Sequence, residues 1–219
     1  VHTGTTVETI ESTQNELNVV LNNGEAYPAD VVIVSTGVKP NVGFLQDLDI
    51  KIDQGIEVDE FMQTSISDVY AAGDCAQGLD FSTGETAVHA VQPTATEHGR
   101  VAATNMATNN SFSYKGSLNM NILDTLGLVT SSFGAWEGVD GSDSAEIYNP
   151  DNYQYINLQF KDDVLVGANT VGYHAHLGVL RGLIESRVPL GVWKERLKKN
   201  PVGLMEAYIG VTQEAAGSA

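Results

Sequence analysis

The residues best equipped for chemistry lie in the run Thr64-Ser65-Ile66-Ser67-Asp68-Val69-Tyr70-Ala71-Ala72-Gly73-Asp74-Cys75-Ala76. A short apolar strand is predicted to end at Ala71-Ala72-Gly73, where small residues let the backbone approach a bulky ligand closely. The Asp74 carboxylate that follows is an acceptor and suits the hydroxyls of a sugar or polyol. Gly73 and Asp74 are therefore predicted to grip a cofactor rather than to catalyse. A second feature follows at Gln92-Pro93-Thr94-Ala95-Thr96-Glu97, where a proline suited to a first turn opens a predicted helix. No catalytic residue can be named from these residues.

Other reactive side chains narrow the chemistry. Cys75 is the only cysteine, so no intrachain disulfide, thiol pair or cysteine zinc cluster can form. Without a second thiol nearby it reads as a small packing residue. The histidines are His2, His89, His98, His174 and His176. The pair His174-Ala175-His176 lacks a third clustered ligand, and no metal site is assigned. No Gly-x-Gly occurs anywhere, so both phosphate-cradling fingerprints of dinucleotide folds are absent.

The 219 residues carry 11 basic and 28 acidic side chains, a net charge of −17 that disfavours nucleic acid and anionic membranes as partners. Six of the basic residues (Arg181, Arg187, Lys194, Arg196, Lys198, Lys199) fall in one C-terminal stretch that reads as a solvated helix face. No apolar run is long enough to span a bilayer, and a soluble, cytoplasmic protein is expected. The chain opens at Val1-His2 directly ahead of a strand-like segment, and reads as a fragment.

The elements that must position these residues alternate in type. Val7 to Glu11 and Leu17 to Leu21 read as strands, with a hairpin-type turn at Asn22-Asn23-Gly24 after the second. Val31-Val32-Ile33-Val34 is predicted as a strand of a parallel sheet, buried on both faces, that ends at Ser35-Thr36-Gly37. Ile56 to Asp59 is a further short strand, and Gly78 to Glu85 a polar loop. The helix opening near Thr94 is predicted to stop at Asn109-Asn110-Ser111. Beyond Tyr114, strands at Leu128 to Ser131, Tyr155 to Phe160 and Val164 to Asn169 form an antiparallel meander, with a tight turn at Lys161-Asp162-Asp163. Helices are predicted over His176 to Ser186, Val192 to Leu197 and Val202 to Ile209, and Glu214 to Ala219 as a frayed tail.

Thr64 to Ala76 closely resembles the second flavin-binding signature of the FAD-dependent pyridine nucleotide-disulfide oxidoreductases. The run ending in Ser35-Thr36-Gly37-Val38-Lys39-Pro40-Asn41 and the helix near Thr94 stand in that family's order around it. The resemblance implies that Asp74 holds the ribityl chain of FAD and that Thr36 and Gly37 position backbone near the flavin. It also implies that Thr94 and Ala95 donate backbone N–H groups to the flavin's pyrimidine edge. Leu165 to Lys199 resembles the interface domain of the NADH-rubredoxin reductase, NADH oxidase and nitrite-reductase-like branch. Gly172-Tyr173-His174-Ala175-His176 departs from the His-Pro segment of the disulfide reductases.

The implied fold is α/β plus α+β: a partial Rossmann-like FAD/NAD(P)-binding domain followed by an α+β interface domain. Residues 1–30 would end the NAD(P)-binding domain, 31–112 form the C-terminal half of the FAD-binding domain, and 113–219 form the dimerisation domain. The implied parent is a homodimeric flavoprotein passing electrons from NAD(P)H through FAD to a small acceptor, a disulfide or an electron-carrier protein. The chain alone is expected to be inactive and to retain FAD weakly or not at all. The alternative is a non-catalytic dimerisation or interaction module with a degenerate nucleotide-binding half.

Overall fold

The computed structural model describes residues 1–13 and 16–217, which fall into two units, Val1–Val38 and Lys39–Ala219. The first is a three-stranded antiparallel sheet of β1 (Val7–Ser12), β2 (Leu17–Leu21) and β3 (Ala26–Ala29), in that order. Asn22, Asn23 and Gly24 turn the chain from β2 into β3, closed by the Gly24 amide donating to the Leu21 carbonyl at 2.9 Å. The predicted parallel strand Val31 to Val34 does not form. Val31, Ile33 and Val34 are 73%, 87% and 70% exposed, and the segment has no ladder partner among the described residues. β-branched composition favours an extended chain, but a strand of a parallel sheet exists only when neighbours supply its hydrogen bonds.

In the second unit, β4 (Ile56–Glu57) pairs in parallel with β5 (Ala76–Leu79), and β5 pairs with β6 (Thr86–Ala87). Two expectations are corrected here. The segment before the Gly-Asp turn makes only a single bridge, Gln63 to Tyr70, and the strand comes after the turn, in residues expected to begin a loop. Asp68 takes a left-handed φ of 64° that breaks an extended run, whereas Ala76 to Gly78 are buried against β4. α1 (Gln92–Thr108) carries Pro93 in its first turn and ends on Asn109 in the left-handed conformation, as the sequence suggests.

The buried side chains of α1 are Thr94, His98, Val101, Ala102 and Asn105, one face of the helix. Asn105 is fully buried and satisfied by three bonds: its side-chain amide donates to the carbonyls of Phe61 and Phe112, and its oxygen accepts the Phe112 amide. The helix end is thereby tied to the chain that leaves it.

After α1 the chain builds a five-stranded antiparallel sheet from β7 (Met120–Thr125), β8 (Leu128–Gly134), β9 (Asp143–Asn149), β10 (Gln154–Lys161) and β11 (Val164–Val171), ordered β7-β8-β11-β10-β9. The expected meander supplied three of these strands; β7 and β9, the two edges, escaped it. Asp162 and Asp163 make the turn between β10 and β11. α2 (Leu177–Ser186) packs on β8 and β11, α3 (Val192–Lys199) on β9, and both pack on α4 (Leu204–Gly217).

Phe133, Ile156, Leu158, Phe160 and Leu165 of the sheet meet Leu180, Leu183, Ile184, Leu197 and Ala207 of the helices in one core. Each such aliphatic or aromatic side chain contributes about 1.5–3 kcal/mol by leaving water. α4 continues through Gly217 where fraying was expected; the last two residues of that tail lie outside the described residues.

The basic stretch is mostly tied down. Lys194 and Lys198 both reach Asp143 of β9 at 3.0 Å, Arg181 pairs with Glu185 at 2.7 Å, and Arg196 lies 4.4 Å over the Trp193 ring. The chain before and after position 112 falls in one unit. It is joined there by the Asp80–Ser117 bridge, by the Tyr114 amide donating to the Glu60 carbonyl at 2.7 Å, and by the Phe81 amide donating to Ser117 at 2.9 Å.

Candidate functional site

Residues 73 to 76 form a tight turn, closed by the Ala76 amide donating to the Gly73 carbonyl at 2.9 Å. Gly73 is buried with φ +82°, a conformation that glycine adopts without cost. A Cβ built on Gly73 would stand 3.4 Å from the Ala95 Cβ, so the turn lies directly against the first turn of α1. Asp74 sits exposed at the tip of the turn, and its carboxylate has no hydrogen-bond or ion-pair partner among the described residues. Cys75 turns its thiol toward the Ala72 carbonyl at 3.5 Å and packs beside Ile56, Ala71 and Ala76, as a small packing residue would.

Thr94 is 4% exposed in the first turn of α1. The first backbone bond of the helix is donated by Ala95 to Val91 at 3.0 Å. The amides of Gln92 and Thr94 precede it and have no intrahelical acceptor, while Pro93 carries no N–H. One sequence expectation therefore changes. The Ala95 amide is spent inside the helix, and Ala95 serves the site through its methyl contact with Gly73; Thr94 remains a donor.

The structure thus brings Gly73, Asp74, Thr94 and Ala95 together. Thr36 and Gly37 are exposed in the other unit, Gly37 with φ +92°.

The same unit holds a polar interior. Asp80 and His89, both nearly buried, approach to 3.1 Å, and the Asp80 carboxylate also accepts the Ser82 and Thr83 amides at 2.6 and 3.1 Å. Burial pushes Asp80 up, but His89 and these amides together outweigh it and hold the carboxyl below its usual range. His98, 1% exposed, places Nε2 2.8 Å from the Ser117 hydroxyl, which Tyr114 also approaches, and the Tyr114 hydroxyl donates to Glu97 at 3.0 Å. Burial lowers His98 below the ordinary histidine value and pushes the Tyr114 phenol up to about 12. A signal for the His98 end was present in the helical spacing of residues 94, 98 and 105, which puts polar side chains on the buried face.

Residues 1–94 match the family model of the pyridine nucleotide-disulphide oxidoreductases. The epsilon subunit of the NADH-dependent phenylglyoxylate dehydrogenase of Aromatoleum evansii is 32% identical over 204 residues, covering 92% of this chain. Residues 1–94 thus carry this family's pattern.

Members of the family use FAD and NAD(P)H. The chain is similar in structure to a NAD-dependent persulfide reductase from A. fulgidus, with 28% identity over 86% of the chain and a TM-score of 0.72. It is likewise similar to a ferredoxin reductase from Rhodopseudomonas palustris, with 26% identity over 82% and a TM-score of 0.71. The chain spans 48% of the phenylglyoxylate dehydrogenase subunit, 38% of the persulfide reductase and 44% of the ferredoxin reductase.

The residues present fit part of such a dinucleotide. An unpartnered, exposed carboxylate faces outward from a turn whose glycine admits no side chain without strain, and it stands beside a helix start with a free amide. That set matches a polyhydroxy chain and an electron-rich ring edge.

Proposed function

We propose that this chain contributes the ribityl and pyrimidine contacts of the flavin site in an NAD(P)H-dependent flavoprotein oxidoreductase. The observation that carries it is the packing of the Gly73 turn against Ala95, which brings the residue before Asp74 against the residue after Thr94. FAD, when bound, supplies hydride acceptance and onward electron transfer. Asp74 accepts hydrogen bonds from the ribityl hydroxyls and fixes the chain of the cofactor. Thr94 donates its amide to the pyrimidine edge, and the positive end of α1 favours the negative charge that gathers there on reduction.

Residues 1–30 are assigned to the end of the NAD(P)-binding domain, 31–112 to the FAD-binding domain and 113–219 to a homodimer interface. In the whole protein the acceptor is a persulfide, disulfide or small electron-carrier protein, supported by the names of the persulfide and ferredoxin reductases. A cytoplasmic location accords with the lack of any described helix long and apolar enough to cross a membrane. Without Gly-x-Gly cradles the chain alone is expected to be inactive in hydride transfer.

The test uses the whole protein, purified with and without Asp74→Ala. Bound flavin bleached anaerobically by NADH or NADPH, with flavin content falling in the variant, is the expected result. A flavin-free whole protein, or equal flavin occupancy in both, would sink the assignment.

A further inference from the structure

Two adjoining cavities of about 330 and about 360 Å³ share Phe81, Lys115 and Glu185 and form one groove on the second unit. The groove starts on the outer face of α1 at Glu97 and Arg100 and reaches the end of α2 at Arg187. Arg100 is six residues beyond Thr94, about 9 Å along the axis of α1. The groove is therefore separate from the flavin grip.

Its charge runs against that of the protein. The chain carries −17 overall, yet Arg100, Lys115 and Arg187 line this groove without a carboxylate partner within ion-pair distance among the described residues. Arg181 is paired with Glu185; the other acidic groups of the lining are Glu97, whose carboxylate accepts the Tyr114 hydroxyl, and Asp80, held by His89 and the Ser82 and Thr83 amides.

Two aromatic walls face the groove, each with a guanidinium on it: Arg187 lies 4.5 Å over the Phe81 ring and Arg100 lies 5.2 Å over Phe112. Arg187 also donates to the Phe81 carbonyl, which holds its plane in place. A guanidinium stacked on a ring keeps its N–H edge for an oxyanion, and binding there costs little further ordering.

We propose that this groove binds a small organic anion that carries a planar aromatic ring, of the size of a nucleoside monophosphate. The ring takes the apolar walls at Phe81 and Phe112, and the anionic group takes Arg100, Lys115 and Arg187. Cavities of this volume hold ligands of that size.

The test is isothermal titration calorimetry of the chain with AMP, adenosine and inorganic phosphate as separate probes. The variants are Arg100→Gln, Lys115→Gln and, as a control for general loss of charge, Arg196→Gln, a cation outside the groove. Circular dichroism melts establish that each variant is folded. AMP is expected to bind saturably and more tightly than either half alone. Arg100→Gln and Lys115→Gln should each weaken it by about tenfold, as loss of one charge-assisted contact does. Arg196→Gln should leave it unchanged. No saturable binding of AMP, or equal affinity in all four proteins, would overturn the proposal; phosphate binding as tightly as AMP would overturn the aromatic half of it.

Discussion

Gly73 and Asp74 divide two tasks between neighbouring positions. Gly73 supplies a left-handed backbone that brings the turn against Ala95, and Asp74 leaves its carboxylate in solvent. Gly73→Ala should therefore destabilise the fold by about 1–2 kcal/mol in urea unfolding, because φ +82° penalises any Cβ. Asp74→Ala should change stability by less than about 0.5 kcal/mol, since the side chain touches nothing that folding needs. A large loss of stability in the aspartate variant would place Asp74 in the scaffold rather than the site.

Tyr114 adds a pH signature. Its phenol is raised by burial from 10.0 to about 12, so its neutral form contributes stability that is whole below pH 10 and is lost as pH rises toward 12. Thermal melts from pH 9 to 12 should fall less steeply for Tyr114→Phe than for the native chain; parallel curves would contradict the burial of the phenol.

At the scale of elements, α1 is held by its polar face as much as by its apolar one. Asn105→Ala removes three bonds and leaves the Phe61 and Phe112 groups without partners, with an expected cost of about 2–4 kcal/mol in chemical denaturation. A cost within error of zero would show that water or other groups take over these bonds. The start and stop of α1 were legible because Pro93 and Asn109 act locally. The β10–β11 hairpin was legible for the same reason: alternation at Ile156, Leu158 and Phe160 followed by Asp162-Asp163 is a local code.

What escaped depends on partners. The second half of β5, Gly78 and Leu79, falls in the stretch read as a loop, and the pairing of Ala76 and Gln77 with Ile56 and Glu57 makes β5 a strand. β7 and β9 are sheet edges with mixed, half-exposed faces that give no clean alternation. Of the candidate site, Gly73, Asp74 and Thr94 are proposed from sequence. The occupied amide of Ala95 is not legible there, since the first bond of a helix depends on where its cap falls.

Across the whole molecule, one acidic surface carries two places that stand apart from it. Val31, Ile33, Val34 and Val38 form an exposed apolar, β-branched run at the end of the first unit. Such a run invites strand pairing between copies. Ile33→Lys should reduce concentration-dependent light scattering of the chain, and unchanged scattering would assign self-association to another surface. The second place is the groove with Arg100, Lys115 and Arg187.

The central claim, that this chain carries a flavin grip of its own, is tested most directly by titrating it with FAD and following flavin fluorescence, with Asp74→Ala alongside. Weak, saturable quenching that is lost in the variant is the expected result. Equal quenching in both proteins, or none in either, would contradict the assignment of Asp74 and Thr94 to the cofactor.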